Sequence, residues 1–209
     1  VRTIWDISQT LRPGLPVWPG DTPFSTGRRW TLGDGSPVTV SRFETTVHAG
    51  THADAPLHYA ATGASAADVG LEAYVGACRV VDARGAGEAI GRAFVERALA
   101  APPPRVLFRT FTAFPHDRWV DRFTAVEAGA IEALAGLGVR LIGVDSPSLD
   151  PQDSKTMNAH LAVLAADMRV LEGLVLDDVP PGDYELIALP LKLEGLDASP
   201  VRAILRSLP

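Results

Sequence analysis

The chain has 209 residues, 46% of them hydrophobic and 21% charged, a composition that allows a sizeable core and gives no indication of disorder. A formal net charge of −6 without any Lys/Arg run argues against a nucleic-acid binder, and one cysteine, Cys78, excludes an internal disulfide framework. No basic segment followed by a long apolar run opens the sequence, and no apolar stretch approaches the roughly 18 residues that span a bilayer. A soluble cytoplasmic protein is the expectation.

Residues 3–8 alternate apolar and polar side chains and predict a first strand. Residues 11–23 hold four prolines and two glycines, which predicts an ordered loop of turns and extended backbone. Trp18 sits within it. Either it plugs the edge of the core or it walls a pocket for a flat ligand. Residues 38–47 are rich in β-branched side chains and predict a strand that leads into His48-Ala49-Gly50-Thr51-His52-Ala53-Asp54-Ala55-Pro56-Leu57-His58.

That stretch holds three of the chain's five histidines together with a carboxylate. Imidazole nitrogen and carboxylate oxygen are the usual ligands of a catalytic zinc or similar divalent ion, whereas structural zinc leans on cysteine. Gly50, Thr51 and Pro56 argue against a helix. The expected arrangement is a strand that delivers His48, a tight bend at Gly50, and an irregular loop that brings back His52 and Asp54. Pro56 stiffens the exit and helps to aim His58.

Further along, residues 62–70 form a small-residue linker, and residues 78–82 predict a short strand with Cys78 in the core. A helix is predicted over 93–100 and a strand over 105–110. His116 reads as a surface histidine. Thr124 and Glu127 have capping-box spacing ahead of a helix-period run that ends near Gly136 and Gly138. Residues 140–145 predict a strand that opens into the polar loop Ser146-Pro147-Ser148-Leu149-Asp150-Pro151. A short helix over 158–167 carries His160. Glu172 lies in an apolar segment, where a lone carboxylate is costly without a partner. His160 and Glu172 are therefore the candidates for a second metal position beside the histidine stretch. A strand over 184–191 follows, and residues 200–205 read as either a last strand or a short helix. With no repeat or linker, the expectation is one α/β domain over residues 1–209, its sheet mixed, largely antiparallel and barrel-like, flanked by helices.

The motif His48-x-Gly50-Thr51-His52-x-Asp54-x-Pro56-x-His58 resembles the signature of the metal-dependent cyclase-like hydrolase family. Residues 17–23, 143–151, 154–157, 171–173 and 176–191 are similar to its arylformamidase branch. The likeness runs along nearly the whole chain and is weakest over residues 84–124. It implies a swivelling β/β/α-type fold and a homodimer. It also implies one zinc ion on His48, His52 and Asp54, and a second shared by Asp54 with His160 and Glu172. Manganese or cobalt could use the same ligands. By the same resemblance His58 is the catalytic acid/base and Trp18 contacts the substrate. The implied reaction is hydrolysis of N-formyl-L-kynurenine to L-kynurenine and formate in tryptophan degradation. The alternatives are a hydrolase of a cyclic amide such as isatin, or a non-enzymatic metal-binding protein.

Overall fold

The computed structural model describes residues 2–33 and 35–209. Its strands, in chain order, are β1 (Ile4–Asp6), β2 (Ser25–Trp30), β3 (Val40–Glu44), β4 (His52–Asp54), β5 (Val75–Asp82), β6 (Ala89–Ile90), β7 (Arg105–Arg109), β8 (Ala125–Val126), β9 (Leu141–Val144), β10 (Arg169–Glu172), β11 (Gly182–Ile187), β12 (Ala198–Pro200) and β13 (Ile204–Ser207). The α-helices are α1 (Arg92–Ala98), α2 (Ala128–Gly136) and α3 (Asn158–Ala165), and short 3-10 turns cover Pro56–His58 and Leu71–Tyr74.

Nine strands form one sheet in the order β1-β13-β11-β5-β7-β9-β10-β4-β12. Its centre is parallel: β5, β7, β9 and β10 run the same way, and the strands on both sides of them are antiparallel. The sheet is mixed, as expected, but the expectation that it is largely antiparallel is corrected. The cause is the connections. Each step between neighbouring central strands passes through a helix, α1, α2 or α3, and a parallel pair requires such a crossover. The sheet is an open half-barrel, since its edge strands β1 and β12 do not bond to each other.

Alternation along the central strands fills two cores. Val106, Phe108, Ile142, Val144 and Val170 face the three helices together with Val95, Ile131, Leu134 and Val163. Leu107, Leu141 and Leu171 face the other way, onto Ile7, Tyr74, Leu174, Leu186 and Leu205. Cys78 lies fully buried in this second core. The hairpin β2–β3 stands apart as its own two-stranded sheet. No helix of the described residues is long and apolar enough to cross a membrane.

Three local expectations change. His48 lies on a turn after β3, and it is His52 and Asp54 that lie on a strand, the reverse of the predicted arrangement. Thr124 and Glu127 form no capping box: Thr124 Oγ1 donates to the Gly87 carbonyl, and Ala125 and Val126 are drawn into a strand paired with β6. Strand β2 was not foreseen, because its Gly and Arg residues mask the alternation.

Candidate active site

The site forms where the parallel centre of the sheet gives way to antiparallel pairing, at the ends of β9 and β10. Strand β10 pairs with β4 so that Glu172 is the direct cross-strand partner of His52, and Val170 that of Asp54. Side chains two apart share a face, so His52, Asp54 and Glu172 all point to the helix-covered side. There His160, in the first turn of α3, comes down on them. His48 arrives from the turn before Gly50, whose φ of +65° is a backbone shape that glycine adopts without strain.

Gly173 pins this crossing. Its φ is +64°, and a Cβ there would fall 2.5 Å from the Gly50 carbonyl oxygen. Its own carbonyl accepts hydrogen bonds from Thr51 Oγ1 at 2.7 Å and Gln9 Nε2 at 2.9 Å. The Gln9 amide in turn donates to Thr51 Oγ1.

Each imidazole is oriented by an acceptor on one nitrogen. His52 Nδ1 lies 3.0 Å from the Gly50 carbonyl, His160 Nδ1 2.7 Å from Asp150, and His48 Nε2 3.0 Å from Asp197. The other nitrogens converge on two carboxylates. His48 Nδ1 and His52 Nε2 are 3.1 and 3.4 Å from Asp54 Oδ1, and His160 Nε2 is 3.3 Å from Asp54 Oδ2. Glu172 stands 3.4 Å from both His52 Nε2 and His160 Nε2. Among the described residues, buried His52 Nε2 and Asp54 Oδ1 have no hydrogen-bond partner. With the far nitrogens donating, these near nitrogens turn lone pairs toward carboxylate oxygens. That arrangement is repulsive unless a cation, either protons or a metal ion, stands between them.

The electrostatics agree. Burial alone would lower His48, but the carboxylates of Asp54 and Asp197 push its pKa up to about 9. Burial likewise opposes charge on His160, and Asp150, Asp54 and Glu172 outweigh it, raising the pKa well above the usual value. Asp54 and Glu172 are held low despite burial by these same histidines, against mutual repulsion in the case of Glu172. The residues fit a metal centre in donor type and in their unpaired buried atoms. His48, His52 and Asp54 bring ligand atoms within 4.8 Å of one another, as do Asp54, His58 and His160.

Above the cluster opens a cavity of about 320 Å³. His48, His52, His58 and Glu172 form its floor, and Asp54 and His160 lie beneath, almost fully buried. Its walls are Val17, Trp18, Phe111, Phe114 and Trp119. Trp18 belongs to neither core and meets Trp119 edge-to-face at 5.4 Å. All seven residues singled out from the sequence thus come together here. His58 is the most exposed of the four imidazoles, and its Nδ1 lies 3.2 Å from Asp197 Oδ2, the same oxygen that holds His48. Exposed His116 lies off the floor, beside Phe114.

Asp197 was not foreseen. It stands 139 residues from His58, ahead of β12, with no spacing to link the two. Asp150 was legible only as part of a polar loop. Its carboxylate also accepts from the Ala159 and His160 amides, so it fixes the start of α3 as well as the His160 ring.

A match to the Cyclase family covers residues 5–151. The chain belongs to that family. A curated relative, the kynurenine formamidase of Erythrobacter litoralis (strain HTCC2594), is 58% identical over 208 residues, spanning 100% of this chain and 95% of that protein. Among solved structures, a protein from Bacillus stearothermophilus described as a predicted metal-dependent hydrolase is 30% identical, with a TM-score of 0.85 and full coverage of both chains. Isatin hydrolase A from Ralstonia solanacearum is 26% identical, with a TM-score of 0.83 over 99% of this chain and 92% of its own.

Proposed function

We propose that the chain is a metal-dependent amidohydrolase that converts N-formyl-L-kynurenine to L-kynurenine and formate, acting in tryptophan degradation as one catalytic domain over residues 1–209 within a homodimer. The observation that carries the chemistry is the set of three oriented imidazoles whose free nitrogens meet two buried carboxylates under an aromatic-walled cavity. The 58% identity to a kynurenine formamidase supports the substrate.

His48, His52 and Asp54 would hold one zinc ion, and Asp54, His160 and Glu172 a second. When bound, zinc supplies an acidified water, with a pKa near 7 against 15.7 in bulk, and positive charge for the developing oxyanion. Asp197 accepts from His58 Nδ1, which leaves His58 Nε2 as the nitrogen free to take a proton. As water oxygen bonds to the formyl carbon, His58 takes the water's proton. It then delivers that proton to the amide nitrogen as the C–N bond breaks, since an amide nitrogen leaves poorly as an anion. The aniline-type leaving group is weakly basic, which eases the second step. Trp18 and Trp119 offer flat apolar faces to the aryl ketone.

Opening of isatin is the competing reading, and 26% identity to an isatin hydrolase supports it less. The test is turnover of both compounds by purified protein, before and after chelation, with zinc or manganese restored. Chelator-sensitive hydrolysis of N-formyl-L-kynurenine that metal recovers supports the proposal. A metal-loaded protein that opens isatin and leaves the formamide intact overturns it.

A further inference from the structure

The proposed substrate has two ends. The formamide must reach His58 and the floor of the cavity, which leaves the α-ammonium and α-carboxylate of its amino-acid tail to be held elsewhere. The titratable and charged side chains that line the cavity sort cleanly. His48, His52, His58 and Glu172 belong to the floor. Asp145 is buried and fully engaged, accepting from the Thr110 amide and hydroxyl and from the Phe111 amide. Arg118 and Asp21 remain, and among the described residues neither forms an ion pair; the Asp21 carboxylate accepts only from the neighbouring Thr22 amide.

These two charges come from separate loops that are strapped together at the mouth. Arg118 directly precedes Trp119, and Asp21 closes a turn on Trp18 with its amide donating to the Trp18 carbonyl at 2.9 Å. The two tryptophans meet edge-to-face. A second strap joins the same loops: Arg12 donates to Asp117 and to the His116 carbonyl. Asp117 is thereby paired with Arg12, and among the described residues the guanidinium of Arg118 is left as the cavity's unpaired cation. The aromatic wall that would face the aryl ring therefore carries one free charge of each sign beside it.

We propose that Arg118 and Asp21 form a two-charge clamp for the substrate's amino-acid tail, with Arg118 taking the α-carboxylate and Asp21 the α-ammonium. The inference rests on the formamidase reading above. A guanidinium fork matches a carboxylate in two parallel hydrogen bonds, which gives orientation as well as affinity. Both contacts exist before and during reaction, so they act on KM more than on kcat.

The test compares kcat/KM for N-formyl-L-kynurenine with that for 2-(formylamino)acetophenone, which keeps the aryl ketone and formamide but lacks the tail, using metal-loaded wild type, Arg118→Gln, Arg118→Lys and Asp21→Asn. The wild type should prefer the tailed substrate. Arg118→Gln and Asp21→Asn should each cut that preference about tenfold through KM, and Arg118→Lys should recover part of it. An unchanged preference in both neutral variants overturns the clamp, and so does an equal loss on both substrates, which would mark a role in loop structure. Wild type inactive on N-formyl-L-kynurenine overturns the formamidase reading and the clamp with it. Wild type active on it with preference unmoved by either variant overturns the clamp alone.

Discussion

Asp197 Oδ2 touches both His48 and His58, yet the two rings are not equivalent. His48 turns its second nitrogen into the carboxylate cluster, while His58 stands at the open side with its side chain 31% exposed. A proton carrier needs that access to the cavity. His58→Ala should keep its metal and its fold and lose about 10²–10⁴-fold in kcat; near-normal turnover would remove His58 from the acid/base role. Trp18→Ala should mainly raise KM, because a wall residue contributes equally to ground and transition states; an unchanged KM would deny it contact with substrate. The raised pKa of His48, about 9, belongs to the metal-free protein. A histidine ordinarily titrates near 6.5, so its charged form stabilises the metal-free fold fully below that value, and the gain is lost as pH rises through about 9. Metal and proton compete for the same lone pair. Zinc uptake at pH 7.5 should therefore release protons, and affinity should climb with pH toward 9. Calorimetry in two buffers of different ionisation heat measures the release; zero release would mean that the imidazoles are already neutral.

At the level of elements, the site depends on how tightly β10 and the turn before β4 cross. A methyl group on Gly173 would meet the Gly50 carbonyl, and both backbones would have to part. Gly173→Ala should thus weaken metal binding by tenfold or more, about 1.4 kcal/mol, beyond any loss of thermal stability; a variant with wild-type affinity would show that the crossing is not what sets the metal geometry. The heart of the candidate site was legible in the sequence because three histidines and an aspartate within eleven residues form a dense local signal. His160 and Glu172 stood out more weakly, by helix position and by the cost of a carboxylate in an apolar run. Asp197 left no trace, since the sheet edge that brings it to His58 is a long-range pairing. The parallel centre is present in the sequence as three strand–helix–strand alternations, but the mixed order of strands and helices does not say how many pairs are parallel, and the expected balance leaned too far to antiparallel. Similarly, Thr124 and Glu127 have capping-box spacing, and a two-residue strand opposite β6 overrides it.

Over the whole molecule, the hairpin β2–β3 is the part that the two cores do not account for. Every residue of β3 is exposed, as is all of β2 except half-buried Gly27. Trp30 is 53% exposed and Phe43 63%, and Leu32, Val38 and Val40 are open too. A lone two-stranded ribbon is marginal in water, and this one carries its apolar side chains outward, where only Phe24 stacks on Phe43. An exposed apolar patch of this kind is the usual mark of a contact site. The homodimer proposed above supplies that contact if each arm lies on the partner subunit. Light scattering of the purified protein should then give twice the chain mass, and the double variant Trp30→Ser, Phe43→Ser should shift it toward the monomer while the chain stays folded. If the variant remains dimeric, the arms are not the interface. A monomeric wild type would remove the homodimer altogether and leave the hairpin for a different partner.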